Sequence, residues 1–282
     1  MRITHRISLS ATPEDRRELA AFGIVVGAHG FVTFEVDEEH ERWSELAKWI
    51  QLRRAVDFVS TKFSKQEIDA AEWLALVPEW HQGYPQPDED VFGYREATFD
   101  LTNYCEQCGM GMTQKASFQM KSEPKWGRNG ILQLNWVFDE FFVTPTIWAS
   151  IFKPHGIGSR PVTDRKGVEL KTVVQLAVKE EIGIVTDGLT GEECPSCNRV
   201  KYLPITRGPF PSLIGSPSMT MAKTREYFGS GASASRGILI SQGLARSLSQ
   251  QKVRGASMKP VKNFGLNHDL SGERVHIQAR RD

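Results

Sequence analysis

Four cysteines carry the most specific chemistry in this sequence. Cys105-Glu106-Gln107-Cys108-Gly109 and Cys194-Pro195-Ser196-Cys197-Asn198 are both C-x-x-C. Two intervening residues let a tight turn present both sulfurs to one ion. The residue after the second cysteine needs a left-handed backbone, which Gly109 and Asn198 tolerate well. Four thiolates match tetrahedral zinc and close its coordination sphere, so Cys105, Cys108, Cys194 and Cys197 are expected to ligate one structural Zn2+. Metal catalysis would require an open position. The 85 residues between Cys108 and Cys194 leave two other readings open: two separate thiol pairs, or a redox pair. A redox C-x-x-C starts a helix after a strand; neither flank has that pattern, and Glu106 disfavours a thiolate. Zinc would tie a loop too long to close unaided.

Other candidates are weaker. None of the seven histidines lies in H-E-x-x-H, so most read as surface or turn residues, His155 as a loop residue after a helix. Residues 229–237 are glycine- and serine-rich but lack the phosphate-loop lysine and precede a strand, which makes them a flexible loop. Asp139 and Glu140 are adjacent in an apolar stretch; in a strand they would point to opposite faces, so without a bulge they cannot form a catalytic dyad, and a solvated strand edge is expected. No catalytic residue is therefore assigned. Trp80, beside the Tyr84-Pro85 segment, is the tryptophan expected in an exposed binding role. From Lys252 onward the chain holds seven Lys/Arg against three Asp/Glu. Lys252, Arg254, Lys259, Lys262, Arg280 and Arg281 could meet nucleic-acid phosphates, against the default of a solvated terminus.

The elements that must position these groups follow from patterning. With 282 residues and 40% hydrophobic content, the chain can bury one large core or two modest ones. Its 35 Lys/Arg and 34 Asp/Glu exclude a general polyanion binder. The first eleven residues hold no continuous apolar stretch, and no run of about 18 apolar residues occurs, so no secretory signal or membrane span is expected and the chain reads as cytoplasmic. Residues 1–80 read as a small N-terminal α/β unit: strands over 3–9, 31–36 and 55–59, a helix capped by Thr12-Pro13, an amphipathic helix through Trp43, Leu46 and Ile50, and a Ser64/Glu67 capping box. Residues 81–94, with Gly83, Pro85 and Pro87, are linker chemistry. Residues 95–265 form a second, mixed α/β domain containing the cysteines, with strands over 130–143 and 173–178. Residues 266–282 are a polar tail.

The second domain contains an internal echo. F-F-V-T-P-T-I-W-A-S-I-F, from Phe141, closes with Arg160-Pro161-Val162; I-L-I-S-Q-G-L-A-R-S-L-S, from Ile238, closes with Lys259-Pro260-Val261. Each reads as an apolar strand, a hydroxyl N-cap (Thr144, Ser241), a short helix, a glycine (Gly158, Gly255) and a second strand. The expected fold class is thus α+β: an N-terminal unit plus a domain of two related strand–helix–strand modules with a zinc-ribbon-like four-cysteine site.

Y-C-E-Q-C-G-M-G, C-P-S-C-N-R and the terminal module ending in Pro260-Val261 together resemble the bacterial double-CXXCG-motif proteins, over residues 95–265. The resemblance implies a small cytosolic protein with the four cysteines as metal ligands. It further implies, for some members, an immunity protein that neutralises a toxin of a polymorphic system. Asn198 stands where the family has glycine, and the first 80 residues have no counterpart in it. The expected function is non-enzymatic, binding a protein partner, which the resemblance implies is a toxin. A nucleic-acid-binding zinc ribbon is not favoured. The third reading is an enzyme with purely structural zinc, for which a deep polar pocket of titratable groups between the two halves would be the sign.

Overall fold

The computed structural model describes residues 1–88, 92–215 and 217–263. The polar tail 266–282, with Arg280 and Arg281, lies outside them. Among the described residues no helix is long and apolar enough to cross a membrane.

β1 (Arg2–Ser10), α1 (Pro13–Ala21), β2 (Phe31–Asp37), α2 (Trp43–Leu52) and β3 (Val56–Lys62) succeed one another in the N-terminal unit. β1 is the centre of an antiparallel sheet between β2 and β3. Alternation along β2 buries Val32, Phe34 and Val36, which pack with Ile7, Leu19, Leu46 and Ile50 into a separate core. α1 starts where the sequence places it: the Thr12 hydroxyl accepts from the Asp15 backbone N–H and Pro13 occupies the first turn.

α3 (Lys65–Ala70), opened by the Ser64/Glu67 capping box, and β4 (Trp73–Pro78) lead out of this unit. α4 (Tyr94–Thr98) precedes the short hairpin of β5 (Phe99–Asp100) and β6 (Thr113–Gln114). Next come β7 (Ile131–Leu132) and β8 (Phe142–Val143). The helical segment α5 follows, α-helical at Pro145–Ile147, a π turn at Trp148–Phe152 and a 3-10 turn at Lys153–His155, then β9 (Gly158–Thr163) and β10 (Glu169–Ala177). β11 (Glu181–Ile182), the hairpin of β12 (Gly191–Glu193) and β13 (Val200–Tyr202), β14 (Met221–Phe228), β15 (Ser235–Ser241), α6 (Gln242–Gln250) and β16 (Ala256–Pro260) complete the chain.

The internal echo is a structural repeat. One sheet runs β7-β8-β10-β9, and the larger sheet contains β14-β15-β4-β16 in the same order. In each, a strand–helix–strand unit straddles one antiparallel strand: β8 and β9 flank β10, and β15 and β16 flank β4. The N-caps correspond. Thr144 Oγ1 accepts from the Ile147 N–H and Ser241 Oγ from the Leu244 N–H. The left-handed glycine that ends the first helix is Gly156, at φ 79°, rather than Gly158, which lies in β9.

The two central strands are exchanged. Each cysteine hairpin is preceded in the chain by a strand of the paired sheets, β4 before the first and β10 before the second. β4 nevertheless completes the sheet of the second repeat, and β10 that of the first. Residues 73–80 are therefore hydrogen-bonded into the second half, although local pattern groups them with residues 1–72. Both sheets and both helices share one core, in which Leu74, Leu76, Val143, Leu176 and Ile240 meet Ile151, Phe152, Leu244 and Leu248. His155 bonds Ser247 at 3.1 Å across the two helices. The strand-rich stretch expected over residues 130–143 holds two short strands, β7 and β8, which pair; between them Trp136 takes φ 69°.

Candidate metal centre

The β5–β6 hairpin presents Cys105 and Cys108, and the β12–β13 hairpin presents Cys194 and Cys197. The two turns have matching hydrogen bonds. Gly109 N–H donates to Cys105 O and Cys105 N–H to Met110 O; Asn198 N–H donates to Cys194 O and Cys194 N–H to Arg199 O. Both turns close through left-handed residues, Gly109 at φ 80° and Asn198 at φ 57°. Gly109 has a second reason: a Cβ there would lie 2.4 Å from the Ala232 carbonyl oxygen.

The four sulfurs lie within 4.8 Å of one another, with Cys105–Cys194 at 3.8 Å and Cys108–Cys197 at 3.6 Å. A tetrahedron with metal–sulfur bonds of about 2.3 Å has edges of about 3.8 Å. A disulfide would need sulfurs about 2.05 Å apart. The sulfurs therefore lie where they could hold one metal ion, at the meeting point of the two repeats. Cys108 and Cys194 are buried, and Met110 packs beside them.

The electrostatics suit thiolates. Arg199 Nε donates to Cys197 Sγ at 3.3 Å, and Arg199 Nη2 to Asn103 O. The backbone N–H of Arg199, then its guanidinium, bring the Cys197 thiol down to about 6. N–H groups at Cys108 lower Cys105, while burial pushes Cys108 up to about 12. A coordinated ion deprotonates such a thiol outright. Lys201 is buried, and its ammonium donates to Cys108 O, Gly231 O and Ser233 O. Four thiolates around a divalent ion carry two excess negative charges, which Arg199 and Lys201 balance. Sequence reading missed both; the only signal was their place just after Cys197. The loop over 229–237 is not free either, because Lys201 and Gly109 hold it against the centre.

A second group of polar residues lies on the face of the first sheet opposite α5 and α6. A cavity of about 290 Å³ is lined by Asp139, Glu140, Arg160, Glu181, Lys223 and Arg236, among others. Asp139 and Glu140 follow a bend instead of extending a strand, so the two carboxylates converge: Lys223 Nζ lies 2.5 Å from Glu140 and 3.9 Å from Asp139. This corrects the expectation that they diverge. Burial pushes the Glu140 carboxyl up against the pull of Lys223. Arg236 pairs with Glu181 and Asp139.

The remaining sequence candidates are placed as follows. Trp80 is partly buried against Trp126, with ring centroids 5.6 Å apart; Tyr84, Trp136 and Phe138 are exposed instead, as are Phe31 and Phe58 in the N-terminal unit. His5 is not a surface residue. It is buried between Asp57 and Glu38, and Arg207 joins Glu38 from the second region. Of the basic residues near the terminus, Lys252, Arg254 and Lys262 are exposed, while Lys259 is partly buried with its ammonium on Ile205 O. No protein-family model and no curated protein matches the chain.

Proposed function

We propose that this is a cytoplasmic, zinc-stabilised protein that acts by binding a protein partner, and that the partner is a bacterial toxin which it neutralises by covering it. The observation that carries the reading is the closed set of four sulfurs. With every tetrahedral position taken by cysteine, the ion holds two repeats together and has no site left for substrate. The toxin partner rests on the resemblance of the two cysteine turns to double-CXXCG immunity-type proteins. The contact surface is the exposed aromatic group around Trp136, whose ring lies 4.5 Å from Tyr84 and 5.0 Å from Phe92. A tryptophan at φ 69° is strained by about 1–2 kcal/mol, and such strain persists where a side chain is needed in place.

Elemental analysis is expected to give one zinc per chain. The tagged protein recovered from its native host is expected to retain one protein in stoichiometric amount. Trp136→Gly should lose that protein while the chain still folds and keeps its metal. Recovery of no stoichiometric protein counts against the proposal.

The polar cavity supports a second reading, an enzyme with chemistry at Glu140 and Lys223. Binding of small polar metabolites abolished by Glu140→Gln would favour it; a cavity indifferent to them would end it.

A further inference from the structure

A larger cleft, about 1000 Å³, lies along the β16 edge of the second sheet, between it and the edge strand β3 of the N-terminal unit, with α3 and the end of α6 at its margin. Val77, Phe210 and Phe228 contribute apolar walls on the side that Lys259 faces. Lys259 lines the cleft, and it is the structural counterpart of Arg160: each opens the basic-Pro-Val end of its repeat, and each sits opposite the exchanged strand, Lys259 against Ala75 and Arg160 against Gln175.

The repeat provides an internal control. Arg160 shares its cavity with Asp139, Glu140 and Glu181. At the positions of Asp139 and Glu140 the second repeat has Arg236 and Gly237, counted back from the N-caps Thr144 and Ser241. The second cleft has therefore lost the acids that balance the first. Asp69 is engaged by Lys65 at 2.5 Å, and Lys62 and Glu79 are exposed at the rim. The Lys259 ammonium, with three donors, has the Ile205 carbonyl oxygen at 2.6 Å and no carboxylate partner among the described residues. Desolvation alone brings its pKa down to about 8. A partly buried cation without a counter-charge is unfavourable until an anion reaches it.

We propose that this cleft binds an amphipathic monocarboxylate, an acyl or aryl chain lying on the apolar walls with its carboxylate on the Lys259 ammonium. The ligand supplies the acid that the second repeat lacks. Chemistry and volume agree, since small-molecule sites of up to about 1000 Å³ are mostly apolar with few fixed polar groups.

The test uses the full metal-loaded chain titrated with dodecanoate and with dodecanol. Dodecanoate is expected to bind once per chain, at least about tenfold more tightly than dodecanol, the range of one charge-assisted hydrogen bond. Lys259→Met should remove that preference by weakening dodecanoate alone, and Lys259→Arg should keep it. Saturating dodecanoate should also protect Lys259 from reductive methylation in the unmodified chain, a readout independent of any variant's folding. Absence of dodecanoate binding overturns the proposal. So does dodecanol binding equally well, as a plain groove for an apolar protein segment would allow, or a carboxylate preference that survives Lys259→Met.

Discussion

Gln175 on the central strand of the first sheet donates to Glu140, which meets Lys223. At the places matching Gln175 and Glu140 the second sheet has Ala75 and Gly237. The room that the Glu140 side chain takes in one repeat is filled in the other by Phe210, whose ring tip would lie 2.9 Å from a Cβ on Gly237. One strand order thus supports a charged network on one side and an apolar wall on the other. The backbone plan needs the shared core and the sulfur cluster. It does not need the charges, which makes Glu140, Lys223 and Lys259 the residues to question about function.

The largest expected effect tests what the repeats share. Chelation, or Cys194→Ser, should unfold the region from residue 95 to 263. Structural zinc contributes about 10–16 kcal/mol in small metal-dependent folds, as much as a whole domain's net stability. Residues 1–62 have their own core and no cysteine, so hydrogen exchange should show them protected still. Equal loss in both regions would mean that the N-terminal unit leans on the metal centre.

The next effect sharpens the contrast between the two faces. Glu140→Ala strands Lys223 without its partner and should cost about 3–5 kcal/mol in urea denaturation. The double change Glu140→Leu with Lys223→Met should recover most of it, because the second repeat already runs this position without charge. A double variant as unstable as the single one would show that the network is structural. On the opposite face, Gly237→Ala should cost about 1–3 kcal/mol by driving a methyl into Phe210 and Thr224. No measurable change would mean that the apolar wall yields.

The smallest effect lies in the N-terminal unit. The Thr12 N–H and Arg53 hold the Asp15 carboxyl below its ordinary 3.8. Its stabilisation is thus complete above pH 3.8 and is lost as pH falls through the lower folded value. Asp15→Asn should flatten the acid limb of the stability profile of that unit while leaving the metal-bearing region's profile unchanged.

Local features were legible because they are set by a few neighbouring residues. The hydroxyls of Thr12, Ser64, Thr144 and Ser241 all cap the helices that follow them. Gly109 and Asn198 both take the left-handed turn that follows a cysteine pair. The strand–helix–strand repeat was visible for the same reason, since each copy carries its own cap, apolar stripe and closing proline.

Partnerships between distant segments were decided by tertiary structure. Nothing in Trp73–Pro78 says that it will pair with strands about 160 residues later, because a short apolar strand fits any compatible edge. That exchange sends β4 away from the unit that local pattern gives it and brings the two cysteine turns together. Arg199 and Lys201 become meaningful only beside the sulfurs, and Asp139 and Glu140 converge only because a bend replaces the expected strand. Residue types and spacing fix what a segment can do within a few turns of chain, whereas burial and counter-charge depend on which other segment arrives, and only the folded chain decides that.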